Sequence, residues 1–232
     1  KWAVASILSK KLAAGATHTI IDIPVGPYAK VQQAKEGREL SRLFEEVGAG
    51  IGMTVIARVT DGSHPIGRGI GPALEVRDVY KVLQNASDAP KDLREKALGF
   101  AASILEWDPN IPRGQGRKTA NSILQSGQAL SSLERIIDAQ GRKEIPDSPG
   151  NLVYEVKAPH SGNISNIDSY RVSGIARRAG APMDKSSGID LSIKLGQEVK
   201  AGDNLYFIHS NVESELHIAS VSADRDSGIK ID

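Results

Sequence analysis

The sequence predicts an α/β chain: part of a parallel-sheet domain, followed by a smaller α+β domain. Three observations carry this. Two apolar, β-branched runs, 17–23 and 53–59, flank a single amphipathic helical pattern, the spacing of a βαβ unit with parallel strands. A series of helical patterns then runs to about residue 141. After a stretch rich in Pro, Asp, Ser and Gly at 142–151, the texture changes to short strands broken by isolated helices. The expected division is 1–14, 15–145 and 146–232.

The elements follow in order. Residues 2–13 read as an amphipathic helix with Val4, Leu8 and Leu12 on one face and Ser6 and Lys10, spaced i,i+4, on roughly the opposite face. Gly15 ends it. The first strand, 17–23, is broken by Pro24, Gly26 and Pro27. Leu40, Leu43, Phe44 and Val47 mark a helix over 36–48, and 53–59 is the second strand. A glycine-rich loop spans 61–71, and Pro72 suits the first turn of the next helix. Val76, Val79, Tyr80 and Leu83 are its expected buried stripe. Leu93, Ala97, Phe100, Ala101 and Ile104 are that of a helix over 91–106. Short helices near 117–126 and 129–140 are closed by Gly127 and Gly141. Strands are expected at 152–157, 164–167, 189–195 and 205–209, with helices near 169–179 and 212–222.

Composition narrows the function classes. Of the 232 residues, 40% are apolar and 25% charged, enough for a soluble core. The 29 basic and 28 acidic side chains leave a net charge of +1, which argues against nucleic-acid or membrane partners. There is no cysteine, so disulfides, thiolate metal sites and cysteine nucleophiles are excluded. The five histidines lack ligand spacing, and no metal is assigned. No run of 18 apolar residues occurs, and a cytoplasmic location is expected. The chain starts at Lys1 inside a helical pattern, which suggests a piece of a longer protein.

Candidate chemistry lies in three places. Ser6 and Lys10 put a hydroxyl and an ammonium on one helix face, able to hold carbonyl oxygens of a base; a solvated face is the plainer alternative. Lys30 follows the first strand, where parallel α/β sheets bind ligands, and could contact an anion or a base. The loop Gly62-Ser-His64-Pro-Ile-Gly-Arg68-Gly-Ile-Gly-Pro72 follows the second strand and leads into a helix N-terminus, which attracts anions. It matches neither a Walker A motif nor GxGxxG. His64, with no evident carboxylate partner, reads as structural, and Arg113, Arg117 and Lys118 as a solvated turn. The run from Lys194 to Ile208 looks like the hairpin of lipoyl and biotinyl domains, with Asp184-Lys185 nearby, though the pattern around that lysine is wrong for a carrier.

Together these segments resemble the thymidine and pyrimidine-nucleoside phosphorylase family. Ala5-Ser-Ile-Leu-Ser-Lys-Lys-Leu12 resembles its base-binding helix, and Asp22-Ile-Pro-Val-Gly26 with Ala29-Lys30 its strand-and-loop motif. Thr60 to Glu75, Ile136-Ile-Asp-Ala-Gln-Gly141, Ala158-Pro159 to Gly162 and the run to Ser210 follow the family in order. The Pro-Val-Gly-Pro-Tyr-Ala-Lys version most resembles the archaeal-type branch, which includes AMP phosphorylases and bacterial relatives of thymidine phosphorylase.

The resemblance implies a partial parallel-sheet phosphorylase domain followed by a hammerhead or barrel-sandwich-like C-terminal domain, with residues 1–14 as the last helix of a small α domain. It implies a pentosyltransferase in pyrimidine salvage: thymidine plus phosphate gives thymine plus 2-deoxyribose 1-phosphate. Phosphorolysis of a nucleoside 5′-monophosphate such as AMP is the alternative, and a lipoyl-like binding module a more distant one. Substrate-binding residues by this match are Ser6, Lys10 and Lys30. Ile66, Gly69 and Asp78 align with positions that hold a monovalent cation in some members, with the rest of that site missing. The catalytic residues and the phosphate loop are expected upstream, so these 232 residues alone should be inactive. The partners implied are a nucleoside or its monophosphate and phosphate as co-substrate, with no other cofactor. The full-length enzyme is expected to be a homodimer or higher oligomer.

Overall fold

The computed structural model describes residues 2–143 and 148–232. The chain forms two compact units, residues 1–64 and 65–232. The expected boundary at 145/146 lies outside the described residues.

The first unit holds α1 (Trp2–Ala13), β1 (His18–Val25), α2 (Ala34–Gly50) and β2 (Thr54–Asp61). The two strands pair in parallel, from His18 opposite Thr54 to Val25 opposite Asp61, as the βαβ spacing predicts. The first strand runs through Pro24 instead of ending there. A strand with one partner leaves half of its N–H groups unpaired, and a proline is tolerated at such a position. On the other side of β2, the Ala57 N–H donates to Glu45 Oε1 (3.1 Å) and the Ala57 carbonyl accepts from Ser41 Oγ (2.8 Å). Helix α2 thus satisfies backbone groups that β1 does not reach.

Packing in this unit is close. Phe44, Val4, Leu8, Ile23 and Met53 are buried together in its core. A Cβ added at Gly48 would sit 2.3 Å from Val55 Cγ2, so the helix lies on the strand where a larger residue has no room. Val4 and Leu8 are buried as expected, but Leu12 is 49% exposed. Residues four apart on a helix drift by about 40° per step, so the third member of the stripe has turned away from the core.

The second unit begins with β3 (Gly69–Ile70), followed by α3 (Pro72–Leu83), α4 (Lys91–Leu105), α5 (Gly116–Gln125) and α6 (Gln128–Ala139). Then come β4 (Leu152–Lys157), β5 (Gly162–Ile167), α7 (Ser169–Arg178), β6 (Gly188–Leu191), β7 (Glu198–Val199), β8 (Asn204–Ser210), α8 (Glu213–Arg225) and β9 (Ile229–Ile231). One sheet has the order β3-β6-β8-β4 and a second the order β7-β5-β9. All their pairings are antiparallel. Val172, Ile175, Ile189, Leu205, Tyr206 and Ile208 are at the heart of the core between these sheets and helices.

Three expectations change here. The loop expected over 61–71 contains a short strand, β3, which joins the C-terminal sheet beside β6, so that among the described residues the parallel pair is β1 and β2. The buried face of α3 is Ala73, Leu74, Asp78 and Val82, with Val79 39% exposed, and α4 buries Leu98 while Ile104 is 52% exposed. The stripe was misplaced because a carboxylate, Asp78, stands in the middle of the packed face. The run from Lys194 to Ile208 is no hairpin: β7 pairs with β5, whereas β8 pairs with β4 and β6.

Candidate functional site

The carboxyl ends of β1 and β2 lie against each other. Gly62 N–H donates to the Val25 carbonyl (2.9 Å), and a Cβ on Gly26 would stand 2.4 Å from the Gly62 carbonyl carbon. Only a residue without a side chain allows that approach. The loop after β1 closes on itself through Gly26 N–H to the Val31 carbonyl (3.2 Å) and Ala29 N–H to the Gly26 carbonyl (3.1 Å). This leaves Lys30 exposed at the strand end. Its ammonium has no hydrogen-bond or ion-pair partner among the described residues.

On the same two strands, Asp22 Oδ1 accepts from Thr60 Oγ1 (2.6 Å), and Asp61 Oδ1 accepts from the Ser63 N–H (2.9 Å). His64 Nδ1 stands 3.0 Å from Ser63 Oγ and 3.8 Å from Asp61 Oδ2. The carboxylate partner of His64, missed in the sequence, is therefore Asp61, three residues upstream and folded back by the turn. The signal was present as Asp-Gly-Ser-His, an aspartate opening a turn.

Ser6 and Lys10 are exposed on α1, opposite the buried Val4 and Leu8. The Lys10 ammonium is unpaired among the described residues, and in the last turn it also faces the negative end of the helix dipole. No hydrogen bond joins Ser6 or Lys10 to Lys30 among the described residues.

The later part of the glycine-rich loop is satisfied by its own unit. Asp78 is 2% exposed, and its Oδ2 accepts from the N–H groups of Arg68 (2.6 Å) and Gly69 (2.8 Å). Gly67 N–H donates to Asp92 Oδ2 (3.1 Å). Arg77 bridges Asp78 Oδ1 (2.9 Å) to Asp190 on β6, reaching the two Asp190 oxygens at 2.6 and 2.9 Å. Arg68 Nε donates to the Leu191 carbonyl (3.1 Å). At the N-terminus of α3, Ala73 N–H donates to the Lys185 carbonyl (3.0 Å) and Gly71 N–H to Glu75 Oε1 (3.0 Å). The expectation that this helix start attracts an anion is corrected: acceptors from the chain itself occupy it.

Two further sequence features resolve. Lys185 donates to the Pro182 carbonyl (2.8 Å) in a turn and is not at a hairpin tip, so a carrier-lysine geometry is absent there. In the basic cluster, Arg117 pairs with Glu95 and ties α5 to α4.

Comparison with known proteins bears on this geometry. Residues 163–230 match the pyrimidine nucleoside phosphorylase C-terminal domain. The chain is similar to proteins of the pyrimidine-nucleoside phosphorylase family. It is 55% identical over 223 residues to a "Bifunctional ribose 1,5-bisphosphokinase-thymidine phosphorylase" of Azorhizobium caulinodans, covering 96% of this chain and 32% of that protein. It is 50% identical over 228 residues to a "Putative thymidine phosphorylase" of Methylococcus capsulatus, covering 98% and 44%. A "Putative thymidine phosphorylase" of Bradyrhizobium diazoefficiens is 48% identical over 229 residues, 99% and 45%. The chain spans from about a third to under half the length of these relatives. The segment 163–230 that matches this C-terminal domain lies within the mixed α/β unit of 65–232. Among the described residues no helix is long and apolar enough to cross a membrane.

Proposed function

We propose that the protein containing these residues is a pentosyltransferase that cleaves pyrimidine nucleosides with phosphate, thymidine giving thymine and 2-deoxyribose 1-phosphate. The observation that carries the reading is near-complete coverage of this chain, at about half identity, by proteins named thymidine phosphorylase. These names favour a nucleoside over AMP as substrate.

The reaction breaks the bond between C1′ and the base nitrogen as a phosphate oxygen bonds to C1′. The electron pair leaves with the base, and the base ends protonated. Negative charge grows on the base carbonyls, so a donor held there lowers the barrier. Ser6 and Lys10 are assigned that role. Their exposure on a helix anchored by Val4 and Leu8 supports it, because an anchored helix holds two donors in fixed relation. Lys30, unpaired at the end of β1, is assigned to substrate binding, with an anion or the base as its partner. The nucleoside and inorganic phosphate are the proposed substrates, with a cytoplasmic homodimer or higher homo-oligomer as the working form of the full-length enzyme.

Lys10→Ala in the longer enzyme tests the assignment. Loss of a charge-assisted hydrogen bond costs about 1.5–3 kcal/mol, so kcat/KM for thymidine falls roughly tenfold or more. Unchanged kinetics would return Ser6 and Lys10 to a solvated helix face. Base release from thymidine, uridine, AMP and CMP, measured side by side, decides the substrate class. Preferential cleavage of AMP overturns the nucleoside reading.

A further inference from the structure

The surface of α7 and α8 carries a second chemistry. Tyr170, Arg171, Gly174, Arg177 and Arg178 line one groove on α7. Arg171 and Arg178 also line an adjoining groove together with His217, Ser222 and Arg225 of α8. The two grooves share Arg171 and Arg178; four arginines and a histidine line them between them, and no acidic residue lines either.

The arginines differ in what they do. Arg171 is committed to structure: Nε donates to the Asp226 carbonyl (3.0 Å) and NH2 to the Ser222 carbonyl (2.7 Å), and it lies 3.2 Å from the Asp226 carboxylate. Arg178 makes one bond, from NH1 to the Gly174 carbonyl of its own helix (2.9 Å). Arg177 and Arg225 are exposed and have no hydrogen-bond or ion-pair partner among the described residues. Charges with no counter-ion repel one another, and a patch that keeps them together gains from an anion between them.

The geometry also supplies an end for something flat. Tyr170 is 73% exposed, and its hydroxyl has no partner among the described residues. It stands one helical turn from Gly174 and two from Arg177, on the same face. With no side chain at position 174, the Arg178 guanidinium lies over the helix surface there, its NH1 3.4 Å from where a Cβ would stand. From Tyr170 to Arg178 the helix rises about 12 Å, the reach of a base, a sugar and a short phosphate chain. Guanidinium groups take phosphate oxygens two at a time, and an exposed aromatic ring stacks a base of any identity.

We propose that the α7–α8 groove binds a nucleoside polyphosphate, with Arg177, Arg178 and Arg225 on the phosphates and Tyr170 against the base. This site shares no residue with the assigned Ser6, Lys10 and Lys30, and it stands whether or not the phosphorolysis reading does.

Equilibrium dialysis of the 232-residue chain tests it, with ATP, tripolyphosphate, adenosine and a single-stranded oligonucleotide as probes. ATP binds saturably below about 1 mM and more weakly as salt rises. The Arg177→Glu, Arg178→Glu double variant, which changes only exposed side chains, weakens ATP and tripolyphosphate roughly tenfold or more. Tyr170→Ala weakens ATP and leaves tripolyphosphate unchanged, and Lys10→Ala and Lys30→Ala change neither. Absence of saturable ATP binding overturns the proposal. So does ATP binding that survives the double arginine variant, or that Lys30→Ala abolishes. Oligonucleotide binding far tighter than ATP replaces the nucleotide with a nucleic acid and overturns it as well.

Discussion

Asp78 and Asp190 are two carboxylates whose surroundings decide what they are for. Asp78 is buried beneath the loop it organises, taking two backbone N–H groups on one oxygen and Arg77 on the other. Asp78→Ala orphans those donors and leaves Arg77 partly unpaired. Breaking a buried ion pair from one side costs about 3–5 kcal/mol, so urea unfolding of the chain shifts to markedly lower denaturant. At Asp190, burial pushes the carboxyl pKa up, but the Arg77 hydrogen bonds and charge outweigh it, and the net shift is downward. A carboxyl lowered in the folded state adds stability that is complete above its unfolded value of about 4 and is lost as pH falls through the folded value. The urea midpoint of the native chain should therefore drop on acidification below about pH 4. In Asp190→Asn that part of the acid slope disappears. An identical slope in both proteins would show that Arg77 does not hold Asp190 ionised.

At the scale of elements, α2 offers a paired test of packing against propensity. Gly48 and Gly50 are both helical, and alanine is the better helix former at either. At Gly50 nothing lies within 4 Å of an added Cβ, so Gly50→Ala is neutral or stabilises by up to about 1 kcal/mol. At Gly48 the added carbon meets Val55, a stiff β-branched side chain on β2, and overpacking costs about 1–3 kcal/mol. Thermal melts of the two variants should move in opposite directions, or only the second should move.

The same scale shows what could be read beforehand. The helices and the parallel pair were legible because long segments repeat their apolar spacing several times. The face of α3 was not, since Asp78 breaks the stripe for a reason visible only once the loop folds over it. Strands β3 and β7 have two residues each, too few for any alternation to register. Ser6, Lys10 and Lys30 are all exposed in the structure. The pairing of His64 with Asp61 needed the turn geometry. The α7–α8 arginines come from two helices separated by three strands, and no local pattern gathers them.

For the molecule as a whole, the assigned donors are only part of what phosphorolysis requires. Holding phosphate in line with C1′ while the base is gripped can account for ~7–11 kcal/mol of a barrier. None of the assigned residues supplies that phosphate clamp. Purified chain of these 232 residues, free of host phosphorylase, should release no thymine, uracil or adenine above buffer in the presence of phosphate. Turnover by it would place the phosphate site within this sequence and overturn the assignment.

The short strand β3 has a practical consequence for anyone recombining these enzymes. The segment that matches the C-terminal domain begins at residue 163, yet the β6 edge of its sheet is covered by Gly69 and Ile70. Arg77 reaches Asp190 from the same upstream stretch. A chimaera joined at the domain's apparent start would pair one parent's β6 with another parent's β3 and Arg77. Where those differ, an uncovered strand edge invites swapping between molecules or aggregation. The sound crossover point lies before Arg68, so that the upstream patch travels with the sheet it closes.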